Sequence, residues 1–398
     1  MISYKEIQNI KTHILNSIST FDENEIEEAL DQMIAKRPEL SLSEKIKLKG
    51  QVLDSIFRYG VIQPLLSDED ITEIMINGPH CIFIEKMGSM ERTAIVFEDD
   101  DHLMELVEKI STEIDRPINL SQPILDARLK DGSRVNIVLS PISGAGTTIT
   151  IRKFVEKFRS MTSLVDSNMI DLETSYFLEN LVKSRYNIFV CGGTGTGKTT
   201  LLNCLSAFIP NDERLITVED ARELNLTNHE NIIALETRQN MSQSHDINIA
   251  TLIKTALRMR PDRIIVGEVR GSEVMDMLQA MNTGHDGSMS TGHANSPKDM
   301  LIRLESIANA ISGLSSELIR QQIISAIDFI IYIERFENGL RRISKIEEVH
   351  KDETQYVLKT HFDFLDNITC NIDSILNKRK LKKHVEIEKA SKTSLYHA

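Results

Sequence analysis

The chain has 398 residues, with 46 Lys and Arg against 59 Asp and Glu, a formal net charge of −13 and 41% hydrophobic residues. That length allows two or three domains with real cores, and the acidic balance disfavours binding along nucleic-acid backbones. The four cysteines (Cys81, Cys191, Cys204, Cys370) form no C-x-x-C pair, which argues for a reducing compartment and against a structural zinc site.

Residues 1–60 read as a helical segment. Ile7, Ile10, Ile14 and Ile18 share one face, and Leu42, Ile46, Leu53 and Phe57 repeat at similar spacing around an acidic stretch, FDENEIEEAL. The opening MISYKEIQNIK has no signal-peptide pattern, and no apolar run approaches the length of a membrane span, so a cytoplasmic protein is expected. Residues 61–155 change character. Strand-like runs (ITEIMI, CIFIEK, TAIVFE, RVNIVLS, TTITIRKF) alternate with turn residues and with one helix at about 101–115, which predicts a compact α+β domain. A linker at 156–165 leads to an α/β domain over 166–370. In it LITVED, NIIALE and RIIVGEV each end a β-like run on a carboxylate, where open parallel sheets place their chemistry. Residues 371–398 form a polar basic tail with a KRKLKK cluster at 378–383.

The strongest motif is GGTGTGKTT, in the frame G-x-x-x-x-G-K-[ST] with Gly192, Gly197, Lys198 and Thr199 in the fixed places. It stands between a strand-type run, NIFV, and a helix-type run. Glycines let backbone N–H groups of Gly193, Thr194, Gly195, Thr196, Gly197 and Thr200 turn toward one anion. Lys198 supplies charge for the β/γ-phosphates, and the Thr199 hydroxyl is a ligand for Mg²⁺. This loop reads as a nucleoside triphosphate site.

RIIVGEVRG follows at a distance that suits a second NTPase motif, with Glu268 emerging beside the phosphates to hold Mg²⁺ or orient water. TVEDARELNL offers two adjacent carboxylates, Glu219 and Asp220, one for water or metal and the other for bracing backbone. TGHDGSMSTGHANSP sets His285 and His293 among small polar residues, a setting that suits hydrogen bonding to a γ-phosphate better than metal ligation. Arg238, Arg258, Arg260 and Arg263 follow the loop, and Arg128, Arg134 and Arg152 flank the strand-rich segment. Two or three of these seven are expected to touch nucleotide.

In that order, GGTGTGKTT, TVEDARELNL, LRMRPDRIIVGEVRG and GHDGSMSTGHANSP resemble the Walker A, Asp box, Walker B and His box of the type II/IV secretion ATPases. DARLKDGSRVNIVLSPIS and TITIRKF resemble that family's N-terminal nucleotide-facing domain. The likeness covers roughly residues 50–350 and is greatest to the CpaF branch, the motors of Tad/Flp pilus assembly, since the tetracysteine zinc insertion of many relatives is missing. The resemblance implies a RecA-like P-loop domain preceded by an α+β domain, in a ring-shaped homo-hexamer that binds ATP and Mg²⁺ and works with inner-membrane platform proteins. It implies catalytic roles for Glu219, Glu268, His285, His293, Arg134 and Arg152, nucleotide contacts for Arg238 and Arg260, and Mg²⁺ near Thr199 and Glu268. Which of Glu219 and Glu268 activates water stays open. The competing readings are a type IV secretion ATPase for conjugation or effector export, and a nucleotide-gated scaffold that never turns over.

Overall fold

The computed structural model describes residues 4–18, 21–144, 146–154, 160–226, 229–237, 247–336, 339–352, 355–378 and 380–381. The chain divides into two compact units, Met1–Lys157 and Phe158–Ala398.

In the first unit three helices lead: α1 (Tyr4–Ser17), α2 (Glu23–Ala35) and α3 (Leu42–Phe57). Asp22 caps α2, and Ser41 forms a reciprocal capping box with Glu44 at the start of α3, which supplies partners to otherwise orphaned N–H groups. Their core is Ile10, Ile14, Ile26, Leu30, Leu48, Val52 and Ile56. The buried face of α3 is therefore not the one expected: Leu42 and Ile46 are exposed, and the i, i+4, i+8 set beginning at Leu48 packs inward.

The short helix α4 (Gln63–Ser67) then leads to β1 (Ile71–Asn77), β2 (Ile82–Lys86) and β3 (Ser89–Arg92). After α5 (Asp100–Glu113) come β4 (Ile124–Arg128), β5 (Arg134–Val138) and β6 (Thr148–Arg152). All six strands join one antiparallel sheet in the order β3-β2-β1-β6-β5-β4. Residues 93–98 (TAIVFE), expected as a strand, run as a loop instead. Phe97 fills the core there, while the loop's backbone makes scattered bonds in place of a ladder, among them Thr93 N–H to Ile82 O and Phe97 N–H to Pro79 O. The helical segment belongs to the same unit as this sheet, for Lys109 of α5 donates to the carbonyls of Ser55 and Ile56 at the end of α3.

The second unit begins with α6 (Met161–Asp166) and α7 (Leu172–Lys183). Of the expected linker, 156–159 lie outside the described residues, and 161–165 are helical, capped by Ser160. Next come β7 (Ile188–Gly192), α8 (Lys198–Ser206), β8 (Leu215–Glu219), β9 (Ile232–Glu236), α9 (Ile249–Ala256) and β10 (Arg263–Val266). The chain continues through α10 (Glu273–Asn282), β11 (Met289–His293), α11 (Pro297–Ser312), α12 (Ser316–Ala326), β12 (Phe329–Arg335), β13 (Arg341–Asp352) and β14 (Gln355–Asp363).

The sheet order is β14-β13-β12-β7-β11-β10-β8-β9. From β12 to β9 every pairing is parallel, and β13 and β14 add antiparallel at one edge. The interior strands β7, β8 and β10 are buried at every position, as strands covered by helices on both faces must be. Side chains alternate between two cores: Ile188 and Val190 meet α7 and α8 on one face, and Phe189 and Cys191 meet α9 to α12 on the other.

The described start of the polar tail packs against this unit. Ile375 is in the core, Glu348 accepts N–H bonds from Leu376 and Asn377, and Lys380 pairs with Asp328 and Asp286. The rest of KRKLKK, except Lys378 and Leu381, lies outside the described residues.

Candidate functional site

Parallel strands all point their C-terminal ends to one edge of the sheet, and four neighbours deliver the site there. β7 ends in Gly192, which pairs with His293 at the end of β11 on one side and with Ile333 of β12 on the other. β10 leads through Gly267 to Glu268, and β8 ends in Glu219.

The loop between β7 and α8 has the shape its glycines predict. Gly197 lies at φ +99, left-handed, as the N-cap of α8, and no side chain caps that helix start. The positive end of the helix dipole therefore faces the loop without a side-chain cap, a setting that suits an anion. At Gly192 a Cβ would stand 2.4 Å from the Ile333 carbonyl oxygen, so only glycine permits this approach. Thr196 Oγ1 donates to Gly193 O at 3.0 Å, and Arg341 Nε donates to Gly195 O at 2.8 Å.

Lys198 is only 8% exposed, and its ammonium donates to Gly192 O at 3.2 Å and Gly193 O at 2.7 Å. It also lies 3.4 Å from His293 Nδ1, while His293 Nε2 lies 2.9 Å from Glu268 Oε1. Burial and the Lys198 charge push the His293 pKa below its ordinary value, against the pull of Glu268. A neutral ring can accept from Lys198 at Nδ1, while its Nε2 stands close to Glu268 Oε1, a buried oxygen that has no hydrogen-bond partner. Burial raises the Glu268 pKa, but the hydrogen bond and charge of Arg270, with the charges of His293 and Lys198, bring it below the usual carboxylate range. Lys198, His293 and Glu268 thus form a connected relay over the phosphate loop. Thr199 stands in the first turn of α8, partly exposed.

The two histidines separate. His285 precedes β11, with Nδ1 3.1 Å from Ala280 O, whereas His293 ends that strand, so they stand toward opposite edges of the sheet. His285 is not brought to the phosphate loop. Arg258 and Arg260 precede β10 and Arg263 begins it, again at the N-terminal edge. Arg263 is fully buried on Glu213, an internal support, and Arg238 lies outside the described residues. In the first unit Arg134 pairs with Arg128 on one side and with Arg152 on the other, a row of three arginines across adjacent strands. Arg152 lies 3.8 Å from Glu73. Motif reading gave no role to Arg270, which donates to Glu268 Oε2 at 2.6 Å; its place two residues after Glu268 was the available signal.

An uncapped helix start, a glycine cradle, a buried lysine and a paired carboxylate at strand ends define a P-loop nucleoside triphosphatase. Residues 58–345 match the family described as type II/IV secretion system protein. A protein of Mycobacterium tuberculosis (strain CDC 1551 / Oshkosh) named as a conjugal transfer protein is 33% identical over 313 residues, 76% of this chain and 88% of its own length. The type IV secretion system protein VirB11 of Brucella suis biovar 1 is 32% identical over 323 residues, 73% of this chain and 89% of its own length. The X-ray structure of the Legionella pneumophila ATPase DotB shares the fold, with a TM-score of 0.54 at 23% identity over 73% of this chain and 80% of that one. The chain belongs to the type II/IV secretion system protein family, as an ATPase whose RecA-like domain follows an N-terminal domain. Among the described residues no helix is long and apolar enough to cross a membrane.

Proposed function

We propose that the protein is a hexameric ATP-driven motor that assembles a Tad/Flp-type (type IV-like) pilus or secretion filament at the cytoplasmic face of the membrane. The observation that carries the chemistry is the convergence of Lys198, His293 and Glu268 at one sheet edge, 3.4 and 2.9 Å apart in sequence of contact. The amides of 193–200 and the Lys198 ammonium would hold the β/γ-phosphates, and Thr199 and Glu268 would hold Mg²⁺, whose chemistry is to neutralise charge on the transferring phosphoryl group. His293 would report the γ-phosphate to Glu268. Arg134 and Arg152 would supply positive charge from the first unit. A platform protein in the inner membrane is the partner on which such a motor acts.

The similarity to proteins named for conjugal transfer and type IV secretion favours a second reading, export of DNA or effectors. One set of measurements separates them. Lys198→Ala abolishes ATP binding or turnover, and Glu268→Gln keeps ATP bound while hydrolysis falls by about a hundredfold or more, the scale of losing a positioned catalytic group. Cells carrying Glu268→Gln lose surface filaments in electron micrographs and keep DNA transfer. Filaments retained with transfer lost would replace the pilus reading by the export reading.

A further inference from the structure

Glu219 and Asp220 are neighbours in sequence and do different work. Glu219 is 3% exposed, and its Oε1 accepts the N–H groups of Glu223 at 2.8 Å and Leu224 at 2.9 Å. Its side chain closes the loop after β8 on itself. The next strand makes room for it: a Cβ on Gly267 would stand 2.9 Å from Glu219 Cγ. Asp220 instead faces outward, half exposed, with Oδ2 3.7 Å from Arg270 Nη1. The other arm of that guanidinium, Nη2, donates to Glu268 Oε2.

The origin of the arginine is itself fixed. Arg270 N–H and Gly271 N–H both donate to Oε1 of the buried Glu273, and Val269 N–H donates to Thr291 O on β11. β8 and β10 pair in register, Val218 with Val266, so the two carboxylates that flank Arg270 ride on adjoining strands. A planar guanidinium offers two arms at a fixed angle, which suits such a bridge; a lysine offers one point charge.

We propose that Arg270 is a positioning residue for hydrolysis, bridging Asp220 to Glu268 so that Glu268 Oε1 stays turned to His293, while Glu219 fixes the bridging loop from behind and does not activate water. This rests on the ATPase site read above. The bland alternative is a solvated surface ion pair of little consequence, since the Arg270 side chain is 57% exposed. The alternative leaves turnover untouched.

The test uses full-length protein, with phosphate release for turnover and a fluorescent non-hydrolysable ATP analogue for affinity. Arg270→Ala lowers kcat about thirtyfold, the scale of a slightly misplaced catalytic group, with analogue affinity kept within about threefold. Arg270→Lys recovers part of that loss. Asp220→Ala lowers kcat less, and adds little when combined with Arg270→Ala, because the bridge is already gone. Glu219→Ala loses turnover, and Glu219→Gln, whose amide oxygen accepts the same two N–H groups, recovers most of it. Arg270→Ala at unchanged kcat beside an inactive Lys198→Ala overturns the bridge alone. Glu219→Gln as inactive as Glu219→Ala, with affinity intact, returns water activation to Glu219 and overturns the assignment. Lys198→Ala turning over like the unsubstituted protein brings down the site reading and the bridge together.

Discussion

A methyl group on Gly192 has nowhere to go: the atoms it meets are the Ile333 carbonyl oxygen at 2.4 Å and Thr196 Oγ1 at 2.8 Å. The first is backbone of an interior strand and cannot yield. Gly292, on the adjacent strand, meets Phe189 Cε1 at 2.9 Å and the end of the Met300 side chain at 3.0 Å, and flexible side-chain ends give way more cheaply. Urea unfolding therefore ranks Gly192→Ala as the more damaging, at about 1–3 kcal/mol, the usual scale of overpacking, with Gly292→Ala below it. The reverse ranking would show that the strand edge is softer than its burial implies. At this scale a motif that names a frame is enough to bring Lys198 and Glu268 to one edge of the sheet, where both lie beside His293. A motif alone stops short where two like residues flank the same stretch. His285 and His293 are equivalent on paper, and only the strand between them, β11, decides which reaches the site. Glu219 and Asp220 were likewise separable only once the loop amides on Glu219 were visible.

The elements that escaped the sequence reading are those whose role is tertiary. FIIYIER became the parallel neighbour of the phosphate-loop strand, and the long hairpin of β13 and β14 extends the sheet, yet neither sits beside a motif. TAIVFE has strand composition but lacks a neighbour to pair with along its length. The tail failed differently, because its composition is polar while its attachment is a few buried contacts. Glu348, 1% exposed, is bonded by His361 Nε2 at 2.8 Å and by the Leu376 and Asn377 N–H groups, and His350 Nε2 lies 3.0 Å away. Burial raises its pKa, but the His361 bond, the two amides and His350 outweigh that and lower it from 4.5 to about 2. A carboxyl with a depressed folded pKa contributes stability above its unfolded pKa and loses it as pH falls toward the folded one. The attachment of 371–377 should hold at neutral pH and weaken from about pH 4.5 down to about pH 2. Limited acid proteolysis followed by mass spectrometry reads this directly: cleavage within 371–377 rises across that window and is already high at pH 5 in Glu348→Gln. Equal cleavage of both proteins at every pH would mean that Glu348 does not hold the segment.

For the whole molecule, a phosphate loop that binds ATP moves nothing unless binding changes how bodies sit against each other. Arg134 and Arg152 belong to the first unit and Lys198 to the second. If those arginines serve the nucleotide, hydrolysis requires both units, and in a ring each closure is felt by a neighbour through the shared interface. Arg134→Ala and Arg152→Ala should keep the circular dichroism of the folded protein and lose most turnover. Mixed into unsubstituted protein, either should depress activity more steeply than its mole fraction. A strictly linear loss, or full activity from a monomer on a sizing column, would sink the coupled ring.

The burial of β7, β8 and β10 at every position has a consequence in time rather than in space. Amides in such strands open to solvent only when the whole domain unfolds, whereas exposed loop tips open many orders of magnitude more often. Gly192, Glu219 and Glu268 are attached to the ends of the strands that open last, and Gly193, Thr194 and Gly195 are exposed. The frame that aims the chemistry therefore outlasts any rearrangement of the loops, and only what hangs from its rim is free to keep the beat.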